Sequence, residues 1–140
     1  MDPWERQRSL ARTTTGWAVA SLAVGGILSS RRDPWWRAFG QQHLGWGAAD
    51  LGIVAVAHLL QGRRMRRLAN AYAPAALDRE RRQLRRILRV SVVADAAYVV
   101  GGAALWQLRR PDPRAAGAGV AIMLQGAFLL LDDGLHVRDL

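Results

Sequence analysis

Four long stretches of the chain are apolar on every side, and most of the charged residues lie between them. They cover residues 13–30, 38–62, 87–108 and 115–136. Each is close to the about 20 residues that an α-helix needs to cross about 30 Å of hydrocarbon. In a soluble bundle, charged residues would instead occupy the face opposite each apolar stripe. The pattern therefore predicts an all-α protein, a four-transmembrane-helix bundle forming a single domain over residues 1–140.

The positions of the arginines indicate how these helices cross the membrane. All 20 basic residues are arginine; with four alternating spans, 14 of them fall on the side of the two termini and 6 on the other side. Loops rich in arginine stay on the cytoplasmic side of a membrane. Both termini and the loop over residues 63–86 are therefore predicted to be cytoplasmic, in a multi-pass protein of the cell (plasma) membrane.

The arginine-rich loop over residues 63–86 also indicates what kind of partner the protein binds. The net charge of +9 is typical of proteins that bind nucleic acid or an anionic membrane surface. Because the arginines already account for the topology, we expect contact with membrane lipids and no nucleic acid. Asp78 is expected to cap a helix that begins at Arg79 and continues into the third span. The chain has no cysteine, which excludes disulfides and cysteine-held metals.

Two short turns resemble each other and point to a repeat. Their sequences are SSRRDPWWR over residues 29–37 and LRRPDPRAA over residues 108–116. In each turn, paired arginines suit the C-terminal end of a helix, and a proline then blocks its continuation. The repeat predicts two similar helical hairpins with the same orientation.

Tryptophan and glycine residues add detail to this bundle. Tryptophan is common where a helix meets the membrane surface, so we expect Trp35, Trp36 and Trp106 at the outer surface and Trp4 and Trp17 at the inner one. Small residues allow close helix packing in lipid. The pairs Gly45/Gly47 and Gly101/Gly102 fit that use.

Polar side chains inside the spans fall into two layers when depth is counted at about 1.5 Å per residue. The middle layer contains Asp50, Asp95, Tyr98 and Gln125. The second layer, nearer the cytoplasm, contains His58, Asp132 and His136.

Helical spacing places several of these groups on common faces. One stripe, on the second span, contains His43, Trp46 and Asp50. Another stripe, on the fourth span, contains Gln125, Asp132 and His136. We therefore expect the middle-layer groups to converge in one cavity, with Asp132 and His136 below it. Asp133 is rotated by about 100° from its neighbour and is expected at the membrane interface.

An acid in the middle of a membrane is costly and often marks a functional site. No arginine lies at the depth of Asp50 and Asp95, so one of them must be protonated, or the two share a proton. The alternative is a hydrogen-bonded network that only fixes the helix register, with Tyr98 or Gln125 satisfying the acids. A metal or haem site at His58, His136 and Asp132 is less favoured, and no metal or cofactor is predicted.

The stretches FGQQHLGWGAADLGIVAVA, VSVVADAAYVVGGAALW and GAGVAIMLQGAFLLLDDGLH resemble a family of small uncharacterised bacterial four-helix integral membrane proteins, a domain of unknown function. The resemblance covers spans two to four. It implies the same fold and matched positions at His43, Trp46 and Asp50, at Asp95 and Tyr98, and at Gln125, Gly126, Phe128 and Asp132. The family often has asparagine at the position of Asp50. The resemblance implies no reaction.

Three functions are compatible with these residues. The first is binding of a lipid-like or other apolar small molecule, or of a membrane partner, in a mid-membrane pocket lined by His43, Trp46, Tyr98, Gln125, Asp132 and His136. The second is a membrane-embedded enzyme in which Asp50 and Asp95 act as acid and base on a hydrophobic substrate, as in an isomerisation, an epoxide opening or a cyclisation. The third is a proton-coupled carrier, a homo-oligomer or a subunit of a larger membrane complex.

Overall fold

The computed structural model describes all 140 residues, which form four α-helices and no strand. The helices are α1 (Pro3–Ser29), α2 (Pro34–Arg67), α3 (Pro74–Leu108) and α4 (Pro113–Arg138). The predicted all-α four-helix fold is confirmed. Three of the helices, α2, α3 and α4, are long and apolar enough to cross a membrane. The orientation of the bundle and the crossing by α1 stay predictions.

Proline and aspartate determine where the helices begin. Every helix has a proline in its first turn, where the missing N–H costs nothing. Asp33 accepts hydrogen bonds from the backbone N–H groups of Trp35 and Trp36 at 2.9 and 3.1 Å. Asp112 caps α4 in the same way. The two similar turns of the sequence are thus two aspartate-capped helix starts, each opening the second helix of a hairpin.

The expected start of the third helix was wrong. The helix begins at Pro74 rather than at Arg79, and Asp78 lies inside it. There the Asp78 carboxylate pairs with Arg81 at 2.9 Å instead of capping the helix. The physical reason is that Pro74 already supplies a favourable first residue, so no side-chain cap is required.

Helices α1 and α2 form one antiparallel hairpin and α3 and α4 the other, while α4 also packs against α2 and α1. Glycines allow the closest approaches. A Cβ at Gly47 would meet Ala18 O at 2.9 Å, and one at Gly102 would meet Met123 N at 2.5 Å. Of the two predicted glycine pairs, only these members serve packing, because Gly45 and Gly101 face open space.

The two ends of the bundle differ in construction. The turns at residues 30–33 and 109–112 form one end, called here the turn end; the termini and the 68–73 loop form the other, the terminal end. An ion pair of 3.2 Å between Arg6 and Asp139 joins the termini. With 34 and 35 residues, α2 and α3 are longer than α1 and α4, with 27 and 26, and they project at the terminal end.

The first turn of α1 packs against these projecting segments. Trp4 is fully buried, its indole N–H donates to Ala71 O at 3.0 Å, and its own carbonyl accepts from Gln61 at 3.2 Å. Trp4 thus packs against protein at the terminal end, and its expected depth at the membrane surface stays a prediction. Trp17 lies within the bundle, as described below, whereas Trp35, Trp36 and Trp106 do lie near the turn end.

Candidate functional site: a polar centre between the hairpins

Gln125 of α4 joins three helices inside the bundle. Its side chain is 0% exposed. The amide nitrogen donates to Asp50 Oδ2 at 2.7 Å, and the amide oxygen accepts from the indole N–H of Trp17 at 2.6 Å. Because an indole N–H only donates and an ionised carboxylate only accepts, these partners fix the orientation of the amide. The contact between Asp50 and Gln125 agrees with their common predicted depth; Trp17 is an addition that the sequence reasoning missed.

An aromatic cluster surrounds the Trp17 end of this chain of hydrogen bonds. Trp17 stacks on Phe128 with ring centroids 4.2 Å apart and stands edge-on to His43 at 6.3 Å. Phe39 contacts the other side of His43 at 4.5 Å. His43 is only 4% exposed, and neither ring nitrogen has a hydrogen-bond partner. Histidine at this position is therefore part of the core, on the predicted α2 stripe but packed by apolar rings.

Asp95 of α3 is the second acid of the centre. It is 4% exposed, and its Oδ2 atom is buried without a hydrogen-bond partner. The charge of Asp50 acts on it from α2, and the Asp133 carboxyl lies close to it on α4. Buried carboxylate oxygens normally find a donor. The Oδ2 atom of Asp95 is the only carboxylate oxygen among the six buried side-chain atoms without a hydrogen-bond partner, the others belonging to Arg6, Ser21, His43 and Arg64.

The position of Asp133 corrects an expectation. Asp133 does not extend to the membrane interface but lies beside Asp95 and the Ser91 hydroxyl of α3. The physical reason is that α4 has neighbours on several sides, so a rotation of about 100° turns a side chain from α1 toward α3 rather than outward. Trp17, Asp50, Asp95, Gln125 and Asp133 together are called the polar centre below.

Asp132 and His136 lie on the predicted stripe of α4, on the terminal-end side of Gln125. The Asp132 carboxylate accepts from the Thr13 hydroxyl at 2.9 and 3.0 Å. The His136 Nδ1 atom lies 2.7 Å from Asp132 O and 3.3 Å from its carboxylate. His58, expected in the same layer, is instead exposed on α2. No group of three or more possible metal ligands among histidine and the acids comes together.

Tyr98 and Trp46 close the turn-end side of a groove. No Cα atom of α2 comes within 8 Å of one of α3, so these helices meet only through side chains. Trp46 and Tyr98 touch edge to face at 4.9 Å, and Arg64 meets Glu80 at 2.8 Å nearer the terminal end. The space between these two contacts is called the α2–α3 groove. Tyr98 is 39% exposed, so it lies at the rim of the polar centre and not in its interior.

The acids of the polar centre differ in their hydrogen-bond partners. One oxygen of Asp50, Oδ2, accepts a hydrogen bond from the Gln125 amide, as expected of a network that fixes the helix register. Asp95 and Asp133, in contrast, bring two carboxyl groups close to each other across the interface of α3 and α4. Two neighbouring carboxyls favour holding one proton between them, and a free oxygen can accept a hydrogen bond from a bound molecule.

Comparison with known proteins identifies a family. The model of a family described as "Family of unknown function (DUF6992)" matches residues 13–134. That range contains every member of the polar centre together with Thr13, Asp132 and the aromatic cluster. No curated protein and no solved structure matches the chain.

Proposed function

The chain belongs to the Family of unknown function (DUF6992), and from its geometry we propose that it is a membrane protein that binds a small apolar molecule bearing one hydrogen-bond donor in the α2–α3 groove. The single observation that carries this proposal is the buried Oδ2 atom of Asp95, which has no donor apart from the neighbouring carboxyl of Asp133. A hydroxyl or amine of a lipid-like molecule would supply the missing donor. Burying an acceptor without a donor costs about 1–3 kcal/mol of stability, and a bound molecule with a donor would recover that free energy.

The helix faces outside the groove suit an apolar molecule. Large apolar side chains on the outer faces of both helices are exposed, including Ile53 and Val56 on α2 and Val90 and Val93 on α3. In a bilayer these faces contact hydrocarbon, and a molecule already dissolved there reaches the groove from the side. The rings of Trp46 and Tyr98 would close over the part of the molecule nearest the turn end, since aromatic rings offer flat apolar surface with a polar tip.

We expect a photoreactive long-chain alcohol to label the groove of the protein in lipid nanodiscs, and the methyl ether of the same chain to label it about ten-fold less. A hydrogen bond to a charged acceptor contributes about 1.5–3 kcal/mol, which corresponds to a factor of about ten or more in affinity. The measurement is mass spectrometry of labelled peptides from α2 and α3.

Two variants sharpen this experiment. Asp95→Leu should reduce alcohol labelling to the level of the ether, because it removes the acceptor. Gln107→Leu, on the same helix but exposed near the turn end, should leave labelling unchanged. Equal labelling by alcohol and ether in the unmodified protein would remove the basis of the proposal.

A membrane-embedded enzyme is the second candidate, and the proximity of Asp95 to both Asp50 and Asp133 favours it. An acid and a base in one apolar site can protonate one atom of a substrate while removing a proton from another. Asp95 would have either Asp50 or Asp133 as its partner in that role. Recovery of the bound probe distinguishes the two candidates: a binding protein returns it with its mass and structure unchanged, whereas an enzyme converts it.

The proposal includes the topology, with α1 as a fourth span and both termini in the cytoplasm. It is supported by the excess of arginine on the side of the termini, 14 against 6, because positively charged segments are retained in the cytoplasm. A fluorescent protein fused after Leu140 is expected to fluoresce, and alkaline phosphatase at the same position to be inactive. Active phosphatase at the C-terminus would reverse the orientation.

A further inference from the structure

A positively charged cleft opens between the end of α2 and the beginning of α3, at the terminal end of the bundle. Its volume is about 250 Å³. Three arginines and one glutamate line the cleft and give it a net charge of +2. The lining residues include Arg64, Arg67, Leu68, Arg79, Glu80 and Gln83. The cleft lies outside the polar centre and has no part in the function proposed for it.

One arginine of the cleft is held in place by partners on two other helices. Arg64 donates to Glu80 Oε1 at 2.8 Å and to Gln7 Oε1 at 3.2 Å. Gln7 in turn donates to the same Glu80 oxygen at 2.7 Å, and Glu80 is only 5% exposed. The guanidinium is thus oriented by contacts from two other helices, and its Nε atom is buried without a partner.

The other two arginines of the cleft carry unneutralised charge. The ion pairs of the structure involve Arg6, Arg64, Arg81 and His136, so neither Arg67 nor Arg79 has an acidic partner. Both side chains are exposed. Two free guanidinium groups beside a fixed third one present forked N–H donors, the geometry that suits phosphate oxygens.

The depth of the cleft corresponds to the headgroup layer of a bilayer. Helix α2 begins at Pro34, beside the short turn, and Arg64 lies 30 residues later, or about 45 Å at about 1.5 Å per residue. A bilayer measures about 40–45 Å including both headgroup layers. When the turn end lies in one headgroup layer, the cleft therefore lies in the other.

We propose that this cleft binds the phosphate of an anionic phospholipid headgroup. Arg67 and Arg79 donate to the phosphate oxygens, Arg64 provides a third, fixed cation, and Leu68 contacts the apolar part of the glycerol region. Free phosphate has the same chemistry, but the position of the cleft in the headgroup layer favours the lipid as the source.

The test uses the full chain in detergent micelles with equal amounts of phosphatidylglycerol and phosphatidylcholine, and native mass spectrometry to count bound lipids. The unmodified protein is expected to retain phosphatidylglycerol preferentially. Arg67→Gln combined with Arg79→Gln should lower that preference about ten-fold. Arg63→Gln combined with Arg82→Gln removes the same charge from exposed positions on the same helices outside the cleft and should change it less than about two-fold.

Gln83→Glu is a second variant that breaks no contact and places a carboxylate in the cleft; it should also lower the preference. If the two double variants lose the preference for phosphatidylglycerol equally, the lipid is attracted by the total positive charge and not bound in the cleft, and the proposal fails. Equal retention of the two lipids by the unmodified protein would also overturn it. A rise in thermal stability with inorganic phosphate as large as that with phosphatidylglycerol would overturn the lipid as the occupant.

Discussion

Gly102→Ala is expected to lower the free energy of unfolding by about 1–3 kcal/mol, the range typical of overpacking a tight interface. The added Cβ would lie 2.5 Å from Met123 N and 2.6 Å from Gly119 O. Both are backbone atoms of α4, which cannot rotate aside as a side chain can, so α3 and α4 must move apart. The measurement is the loss of helical circular dichroism as a denaturing detergent is added to the protein in mild micelles.

The neighbouring glycine provides the matched control. A Cβ at Gly101 would meet nothing within 4 Å, so Gly101→Ala should be neutral or should stabilise the protein by up to about 1 kcal/mol, since alanine is the better helix former. Similar losses for the two variants would show that helix propensity, and not the close approach of α3 to α4, governs stability here.

Gln125→Leu is expected to be more damaging, by about 3–5 kcal/mol, because it leaves the carboxylate of Asp50 buried and uncompensated. It also removes the acceptor of the Trp17 indole N–H, which is bonded at 2.6 Å. The same detergent titration measures the loss. The indole fluorescence of the variant should change as well, since Trp17 loses its only polar partner.

A double variant separates the buried charge from the packing. Asp50→Leu added to Gln125→Leu removes the stranded carboxylate, and we expect it to recover most of the lost stability, because replacing both members of a buried polar pair is often nearly neutral. If the double variant is as unstable as Gln125→Leu alone, the fit of the glutamine side chain accounts for the loss, and the hydrogen bond to Asp50 contributes little.

Helix periodicity and depth were sufficient to anticipate part of the polar centre. Asp50 and Gln125 were expected at the same level, and the structure joins them at 2.7 Å. Asp132 and His136 also follow from spacing, since residues four apart in a helix lie on one face. These features depend on the axial position of a residue within its own helix, which the sequence contains directly.

Other features depend on which helices are neighbours, and a single sequence does not contain that. Asp133 was expected at the interface because α3 was not known to cover that side of α4. Trp4 was placed by the preference of tryptophan for membrane surfaces, whereas its burial depends on the end of α2 at Arg67 and the start of α3 at Pro74, near which it packs. Trp17 was similarly placed by the usual preference of tryptophan for surfaces, although a buried amide was available as its partner.

The contacts of α4 with all three other helices have a consequence for the order of synthesis. Chains are made from the N-terminus, so the ribosome delivers the helix at the centre of the assembly last. Until α4 arrives, Asp50 has no Gln125 amide to donate to it and Asp95 lacks the neighbouring Asp133 carboxyl, so the first three helices form an intermediate whose polar centre is incomplete. A chain stopped before α4 is therefore expected to be recognised and degraded as unassembled, whereas loss of Asp139 and Leu140 should be tolerated.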